Sequence, residues 1–155
     1  KTSFMILRNA NYMNIPSELN LKNSIKISRV DSQKYLGIIF DDKMDFKLHC
    51  DAVIDKLTDT VKALRIIKHY LPKESLIQFF HAHFMSHIHY CAFLYAKFTK
   101  ENILRMQRLQ NWCVKTIFNL DMKHSTLDLT QTSWATHFPL LESFIYQCYP
   151  LSRNH

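Results

Sequence analysis

Two clusters of side chains in this sequence have the residue types for metal or phosphoryl chemistry. The first is the acid pair Asp41-Asp42, which ends the stretch KYLGIIFDD. Two-metal phosphoryl transfer needs carboxylates that converge from separate elements on ions ~3.5–4 Å apart, and neighbouring side chains of one strand point to opposite faces. The pair also precedes a helical pattern, where acids favour the positive end of the helix. We therefore expect turn and capping chemistry here, with metal binding as the alternative.

The second cluster is a run of histidines in the stretch HAHFMSHIHY: His81, His83, His87 and His89. Only His83 and His87, four residues apart, share one face of a helix. The zinc-protease motif would need Glu where this chain has Phe84, and the spacing supplies no third ligand. We expect structural or solvent-facing histidines, with a zinc site as the alternative.

Nucleophilic catalysis has no recognisable motif in this chain. The only glycine is Gly37, which excludes both the GxSxG elbow and a glycine-rich phosphate loop. The cysteines form no CxxC pair and follow no secretory leader, so we expect reduced, mostly buried thiols in an intracellular protein, nuclear or cytoplasmic. These cysteines are Cys50, Cys91, Cys113 and Cys148.

Aromatic residues at helical spacing predict a packed core, with base-stacking surfaces as the alternative. The residues so assigned are Phe79, Phe80, Phe84, Tyr95, Trp112 and Trp134.

Positive charge is concentrated in the central region of the chain. The net charge is +7, and residues 60–124 contain ten bases and three acids. The remaining residues carry ten bases and ten acids, so the whole excess lies in that window. A polyanion such as nucleic acid would bind there, and a solvated basic surface is the alternative.

The patterns along the chain predict an α+β fold that is mostly α-helical. One glycine in 155 residues leaves few positions for tight turns, which favours long helices over a many-stranded sheet. In residues 1–44 the stretches TSFMILR, IKISRV and KYLGIIF predict a small antiparallel sheet, with an Asn-rich loop after the first. Gly37 inside the third stretch predicts a bulge, or a close approach of another chain.

Three long helices are predicted over residues 45–122. The first follows the N-cap Asp45 and ends before Pro72, where the second begins. Thr99 is the predicted N-cap of the third. Apolar residues recur every three or four positions in each, so the three helices are expected to pack as a bundle.

The tail, residues 123–155, is less periodic and predicts short helices, one of them near residues 140–149. The sequence has no apolar run of ~18 residues, so no membrane partner is expected.

Four phrases stand in order along nearly the whole chain: KTSFMIL, KYLGIIFDDKMDFKLHCDAVIDKL, LPKESLIQFFHAHFMSHIHYCAFLYA and MQRLQNWCVKTIFNL. They resemble phrases of the reverse transcriptases of non-LTR retrotransposons, and of jockey-like elements in particular. The family phrases are a KTxxMxF strand, a KYLGV segment leading to LxFxxHI, a helix that opens with LP, and a helix LQxxQNxxVRxIFxL. This chain departs from them between Tyr95 and Lys97, where the family has Trp.

The resemblance implies three parts: a palm end with the last strands (1–44), a helical thumb (45–122) and a partial connecting tail (123–155). Tyr35, Leu36 and Gly37 match the primer grip, which presses on the 3′ end of the growing strand, and a small residue suits such an approach. Lys1 matches the lysine that protonates the departing pyrophosphate, a sensible role for a cationic acid.

The resemblance also implies that the basic helices grip the phosphate backbone of a duplex of RNA template and DNA primer, without reading its sequence. The residues assigned to this contact are Lys62, Arg65, Lys68, Arg105, Arg108 and Lys115. The parent enzyme would add upstream fingers and palm, with Mg²⁺ at its catalytic aspartates. No cofactor and no metal site are expected in this chain itself.

The resemblance places the family's Ala-Asp-Asp motif and an earlier catalytic aspartate before Lys1. Our leading hypothesis is therefore a C-terminal fragment of an RNA-directed DNA polymerase that holds the duplex and is inactive alone. Two alternatives stay open: a non-catalytic nucleic-acid-binding module, and a helical interaction scaffold derived from such a thumb.

Overall fold

The computed structural model describes residues 2–7, 17–20, 26–90 and 92–121. The chain divides into two compact units, Lys1–Cys50 and Asp51–His155. Helices account for most of the described residues, and the described strands all lie in the first unit. The predicted α+β, mostly helical fold is confirmed at this level.

Several predictions fall outside the described residues, namely those for Lys1, Cys91, Trp134, Cys148 and the tail 123–155.

Three short strands form a mixed sheet in the first unit. They are β1 (Ser3–Phe4), β2 (Glu18–Asn20) and β3 (Lys26–Arg29). β1 pairs with β3 in parallel, and β2 pairs with β3 antiparallel, with Leu19 opposite Ile27. The prediction of a purely antiparallel sheet is therefore wrong for one pair, and β2 arises where a loop was predicted. Alternation of apolar and polar residues shows that a segment is a strand, but it does not show the direction of its partner.

The stretch predicted as a single strand, KYLGIIF, forms a β-hairpin. β4 (Ser32–Tyr35) and β5 (Ile38–Asp41) are antiparallel and are joined by two residues. These residues, Leu36 and Gly37, have φ angles of 46° and 85°, the two positive values that a type I′ turn requires. Gly37 is therefore a turn residue, and the predicted bulge is wrong.

A buried carboxylate holds the turn that follows β5. The backbone N–H groups of Lys43 and Asp45 each donate a 3.1 Å hydrogen bond to Oδ1 of Asp41. The N–H of Phe46 donates to Oδ2 at 2.8 Å. Met44 and Phe46 have φ angles of 57° and 56°, which cost about 1–2 kcal/mol each for residues with a Cβ. Three hydrogen bonds to a charged acceptor offset that strain, so the turn role predicted for Asp41 is confirmed.

The first helix, α1, spans Lys47–Ile67. Asp45, the predicted N-cap, accepts a hydrogen bond from the N–H of Lys47 at 2.9 Å, and α1 begins one residue later than an N-cap at Asp45 implies. The apolar face predicted for α1 is buried except at Ile67, which is half-buried. Its buried apolar residues are Cys50, Val53, Ile54, Leu57, Val61 and Leu64.

The second helical stretch changes its winding midway. It comprises α2 (Lys73–Phe79), a π-helical segment (Phe80–Met85) and α3 (Ser86–His89), and a 3₁₀ segment follows (Ala92–Lys97). The predicted single α-helix from Pro72 is thus interrupted. In the wider π turn, Phe80 and Phe84 are fully buried, with stacked rings whose centroids are 5.0 Å apart.

The last described helix, α4, spans Lys100–Ile117 and is capped at both ends. Oγ1 of Thr99 accepts a hydrogen bond from the N–H of Asn102 at 3.3 Å, which confirms the predicted N-cap. At the other end Asn119 has a φ of 52°, and the N–H of Leu120 donates to the carbonyl oxygen of Lys115 at 2.9 Å. This is the Schellman arrangement that ends many helices.

The core of the second unit consists of apolar side chains from all of its helices. Tyr95 is buried in it, and its hydroxyl donates a 3.1 Å hydrogen bond to the carbonyl oxygen of His87, so the buried polar atom is satisfied. The core role predicted for Phe80, Phe84 and Tyr95 is confirmed. Burying one Leu or Phe side chain contributes about 1.5–3 kcal/mol, so this packing is the main source of the unit's stability.

We predict that Asp41→Ala lowers the free energy of unfolding by about 3 kcal/mol, because three backbone N–H groups lose a charged acceptor while the strained turn residues remain. Urea titration followed by circular dichroism measures this. Asp55→Ala is the matched control, an exposed acid on α1, and it should change stability by less than about 0.5 kcal/mol. Equal effects of the two substitutions would show that Asp41 does not hold the turn.

Candidate nucleic-acid interface

The basic residues predicted to contact nucleic acid lie on two helices of the second unit that run in the same direction. Near their starts, Nη1 of Arg105 lies 3.9 Å from Oδ1 of Asp51. Further along, the guanidinium carbon of Arg65 lies 5.6 Å from the centroid of the Trp112 ring. These contacts place one side of α1 alongside one side of α4.

The six predicted residues differ in exposure, and together we call them the α1–α4 basic face. Its exposed members are Lys62, Arg65, Arg105 and Arg108. Lys68 is half-buried, and Lys115 is buried, with 7% of its surface exposed. Within each helix, a spacing of three residues keeps the two exposed members on one side. The helices thus bring together residues that are up to about a third of the chain apart in sequence.

Exposed members of the face hold weak surface partners. Nζ of Lys62 lies 2.9 Å from Oδ1 of Asp59, and Nη1 of Arg105 donates a 3.2 Å hydrogen bond to Oδ1 of Asn102. Exposed pairs of this kind contribute about 0–1 kcal/mol. These side chains can therefore exchange their present partners for a phosphate at little cost.

Acidic residues are absent from the later turns of α1 and α4. The acids of α1 lie in its first two thirds, at Asp51, Asp55 and Asp59, and none follows before its end. The only acid of α4 is Glu101, in its first turn. The later turns of both helices therefore carry bases without acids, and Asp121 follows shortly after the end of α4.

A cleft lies between those two helix ends. Its volume is about 420 Å³. Basic and polar side chains make up most of its lining: Arg65, Lys68, His69, Lys115, Thr116 and Asn119. Three of the six residues predicted from the sequence thus border one cleft, a grouping that helical periodicity alone did not indicate.

Trp112 was predicted to be a core residue, and this prediction is wrong. The side chain is 41% exposed and lies under the guanidinium of Arg65. This cation–π contact restrains the Arg65 side chain on the surface and contributes about 0.5–1 kcal/mol at an exposed site. The spacing of Trp112 from Arg105 and Arg108 on the exposed side of α4 was the available signal for this position.

The residues predicted as a primer grip form the tip of the β4–β5 hairpin. Tyr35 and Leu36 are 65% and 73% exposed, and Gly37 completes the turn. Leu36 holds a left-handed conformation that Asn or Gly would adopt with less strain. The hairpin therefore presents an aromatic and an aliphatic side chain to solvent at a sharp turn. Lys1, predicted as a leaving-group acid, lies outside the described residues.

The histidine cluster is mostly exposed. His81, His83 and His89 are exposed, and His87 is half-buried. The pKa of His87 lies below 6.5 because burial disfavours the imidazolium, and the positive charges of Lys56 and His83 add to the effect. The predicted solvent-facing positions are confirmed for the three exposed histidines.

The two described cysteines, Cys50 and Cys113, are buried and form no disulfide, as predicted. Burial raises the pKa of the Cys113 thiol to about 12, although the charge of Arg65 acts in the opposite direction. At neutral pH this thiol is therefore protonated and is a poor nucleophile.

In the described ranges no three His, Cys, Asp or Glu side chains stand close enough together to hold one metal ion. The carboxylate of Asp41 does not fit Mg²⁺, the ion implied for the parent enzyme, because both of its oxygens already accept backbone hydrogen bonds. No helix among residues 26–90 and 92–121 has the length and apolar content needed to cross a membrane.

Comparison of the chain with family models, curated proteins and solved structures gave no match.

We predict that stability falls as the pH drops below about 6.5, because the unfolded chain binds a proton at His87 before the folded chain does. The contribution of the neutral imidazole is fully present above the unfolded pKa and is lost as the pH falls through the lower folded pKa. In urea titrations at about pH 7.5 and 5.5, His87→Gln should show a smaller pH effect than the wild type. Lys56→Gln should show an intermediate one. An identical pH effect in all three proteins would contradict this assignment.

Proposed function

We propose that this chain is a nucleic-acid grip that holds a template–primer duplex of RNA and DNA through the α1–α4 basic face. In this proposal the second unit acts as the thumb of an RNA-directed DNA polymerase of the non-LTR type, and the strands of the first unit are the end of its palm. The chain supplies duplex binding, and the parent enzyme supplies the catalytic aspartates with their Mg²⁺ and the fingers.

The observation that carries this proposal is the meeting of basic residues from α1 and α4 on adjoining helix sides. The contacts of Asp51 with Arg105 and of Arg65 with Trp112 show that these sides of the two helices lie next to each other. Contacts of Lys and Arg with phosphates supply most of the affinity of sequence-independent binding. Two adjoining helices with exposed bases present such contacts at several points along a duplex.

The hairpin tip supports the same proposal from the first unit. A primer grip needs a narrow backbone turn that approaches the strand end closely, and Gly37 leaves room at the second position of the turn. Exposed Tyr35 and Leu36 offer apolar contacts to a sugar or base. In the proposal these residues contact the 3′ end of the primer.

Polymerisation by this chain alone is not part of the proposed function. Phosphoryl transfer needs two converging metal-binding carboxylates, and the one adjacent acid pair is committed to a turn through Asp41. The buried thiol of Cys113 and the scattered histidines offer no substitute.

We predict that the double charge reversal Arg105→Glu with Arg108→Glu weakens binding of an RNA–DNA duplex by at least about tenfold at ~100 mM salt, because two phosphate contacts become repulsive. Fluorescence anisotropy with a labelled duplex measures the dissociation constant. The control is Lys56→Glu, a charge reversal on α1 beside His87 and away from the basic face, which makes half the charge change of the double variant.

The control should bind within about threefold of the wild type, since it alters only the long-range charge. Thermal melting of each variant checks that the fold is retained. If the control and the double variant lose equal affinity, the effect is one of net charge and the proposed face is wrong. If the wild type binds no duplex at low salt, the chain is better described as a helical interaction scaffold.

A further inference from the structure

Trp112 is an exposed aromatic side chain beside the α1–α4 basic face. It follows Arg105 and Arg108 on α4 at spacings of seven and four residues, so the three side chains share one side of the helix. The guanidinium carbon of Arg65 on α1 lies 5.6 Å from the centroid of its ring, and 41% of the Trp112 side chain is exposed. A large aromatic ring is thus placed among basic side chains from two helices.

Core packing does not account for this tryptophan. The buried apolar residues of α4 are Met106, Leu109, Cys113, Val114 and Ile117. Trp112 lies outside that buried stripe, and its described contact is with the exposed cation of Arg65. At an exposed site such a contact favours the stacked arrangement by only about two- to fivefold. A ligand that stacks more strongly on the ring can therefore displace Arg65 from it.

A nucleobase is the ligand that fits an aromatic ring in these surroundings. Base–aromatic stacking raises affinity by about five- to 150-fold per base, which exceeds the contribution of the Arg65 contact that it replaces. Every base has a π face, so the ring accepts strands of any sequence. The exposed cations Arg105 and Arg108 favour a ligand that brings negative charge with its planar groups. A strand of nucleic acid has both.

The base that stacks on Trp112 has to be unpaired. Inside a duplex each base is stacked on its neighbours, so a side chain does not reach its face, whereas the bases of a single strand can be turned outward. The rise of an α-helix separates Arg108 from Trp112 by about 6 Å along the axis of α4. A base on the ring and a neighbouring phosphate on Arg108 can span that distance within one strand.

We propose that Trp112 is a stacking site for an unpaired nucleobase, and that Arg65 and Arg108 hold the phosphates on either side of that base. When Arg65 leaves the ring, its planar fork of N–H groups is available to a phosphate. The ligand is a single-stranded segment of nucleic acid next to the duplex on the basic face. Its position beside a duplex rests on the proposed function, whereas stacking of a single strand on Trp112 does not.

The test uses two single strands that have the same phosphates and differ only in their bases. Fluorescence anisotropy compares a labelled strand of thymidines with an abasic strand of equal length, using the full chain. The wild type should bind the thymidine strand at least about fivefold more tightly. Trp112→Leu should bind both strands equally, because it keeps an apolar side chain and loses the ring. Trp112→Phe should retain part of the preference.

Phe93→Leu is the matched control variant. It also removes an exposed aromatic ring, but from the 3₁₀ segment, outside α1 and α4. This variant should keep the full preference for the thymidine strand. Thermal melting of each variant checks that the fold is retained. Loss of the preference in Phe93→Leu as well would contradict the assignment to Trp112.

Tryptophan emission gives a second readout that does not depend on Trp112→Leu. Trp134→Phe leaves Trp112 as the only tryptophan of the chain. A base stacked on its indole quenches the emission, so the thymidine strand should quench it at saturation and the abasic strand should not. Equal emission with both strands would overturn the inference.

A blunt RNA–DNA duplex separates this inference from the proposed function. Trp112→Leu should bind the blunt duplex within about threefold of the wild type, since only the restraint on Arg65 is lost. Equal losses for the blunt duplex and the thymidine strand would make the ring a mere support for Arg65 and overturn the inference. Duplex binding by a wild type without base preference would overturn the inference and leave the proposed function intact. A base preference without duplex binding would do the reverse.

Discussion

Burial of one apolar stripe on each of α1 and α4 is the constraint on which the basic face depends. Each buried Leu or Val contributes about 1.5–3 kcal/mol, whereas an exposed ion pair such as Arg105 with Asp51 contributes about 0–1 kcal/mol. Packing therefore decides how the helices lie, and the charged residues take the sides that packing leaves outward. Because both helices turn with a period of 3.6 residues, their bases align along adjoining sides. The basic face is a consequence of the core.

Asp41 shows how a carboxylate can stabilise a turn instead of binding a metal ion. Asp41 gathers three backbone N–H groups of a turn in which Met44 and Phe46 hold left-handed conformations. The same geometry that makes it a good acceptor for the turn removes its oxygens from metal binding. The hairpin that ends at Asp41 carries its exposed residues at the other end, at Tyr35 and Leu36. The hairpin thus has a structural carboxylate at one end, and at the other end exposed side chains that are suited to contact with a ligand.

Helical periodicity predicted most of the second unit, because amphipathic stripes and caps such as Thr99 are local signals. Periodicity gave wrong predictions where the structure depends on long-range strand pairing or on backbone φ angles. The parallel pairing of β1 with β3, and the turn at Gly37, depend on partners and φ angles that residue alternation does not encode. The six bases of the face were predicted, but their convergence and the cleft near Lys115 were not, because both depend on how α1 and α4 pack. Trp112 was misassigned for the same reason.

The central claim is that several phosphates contact the basic face at once, and the salt dependence of duplex binding tests it most directly. The logarithm of the binding constant should fall linearly with the logarithm of salt concentration, with a slope near −0.9 for each phosphate contact. Six contacts would give a slope of about −5, and a value between about −3 and −5 is the predicted result. A slope near zero, or no binding to an RNA–DNA duplex at ~50 mM salt, would contradict the account.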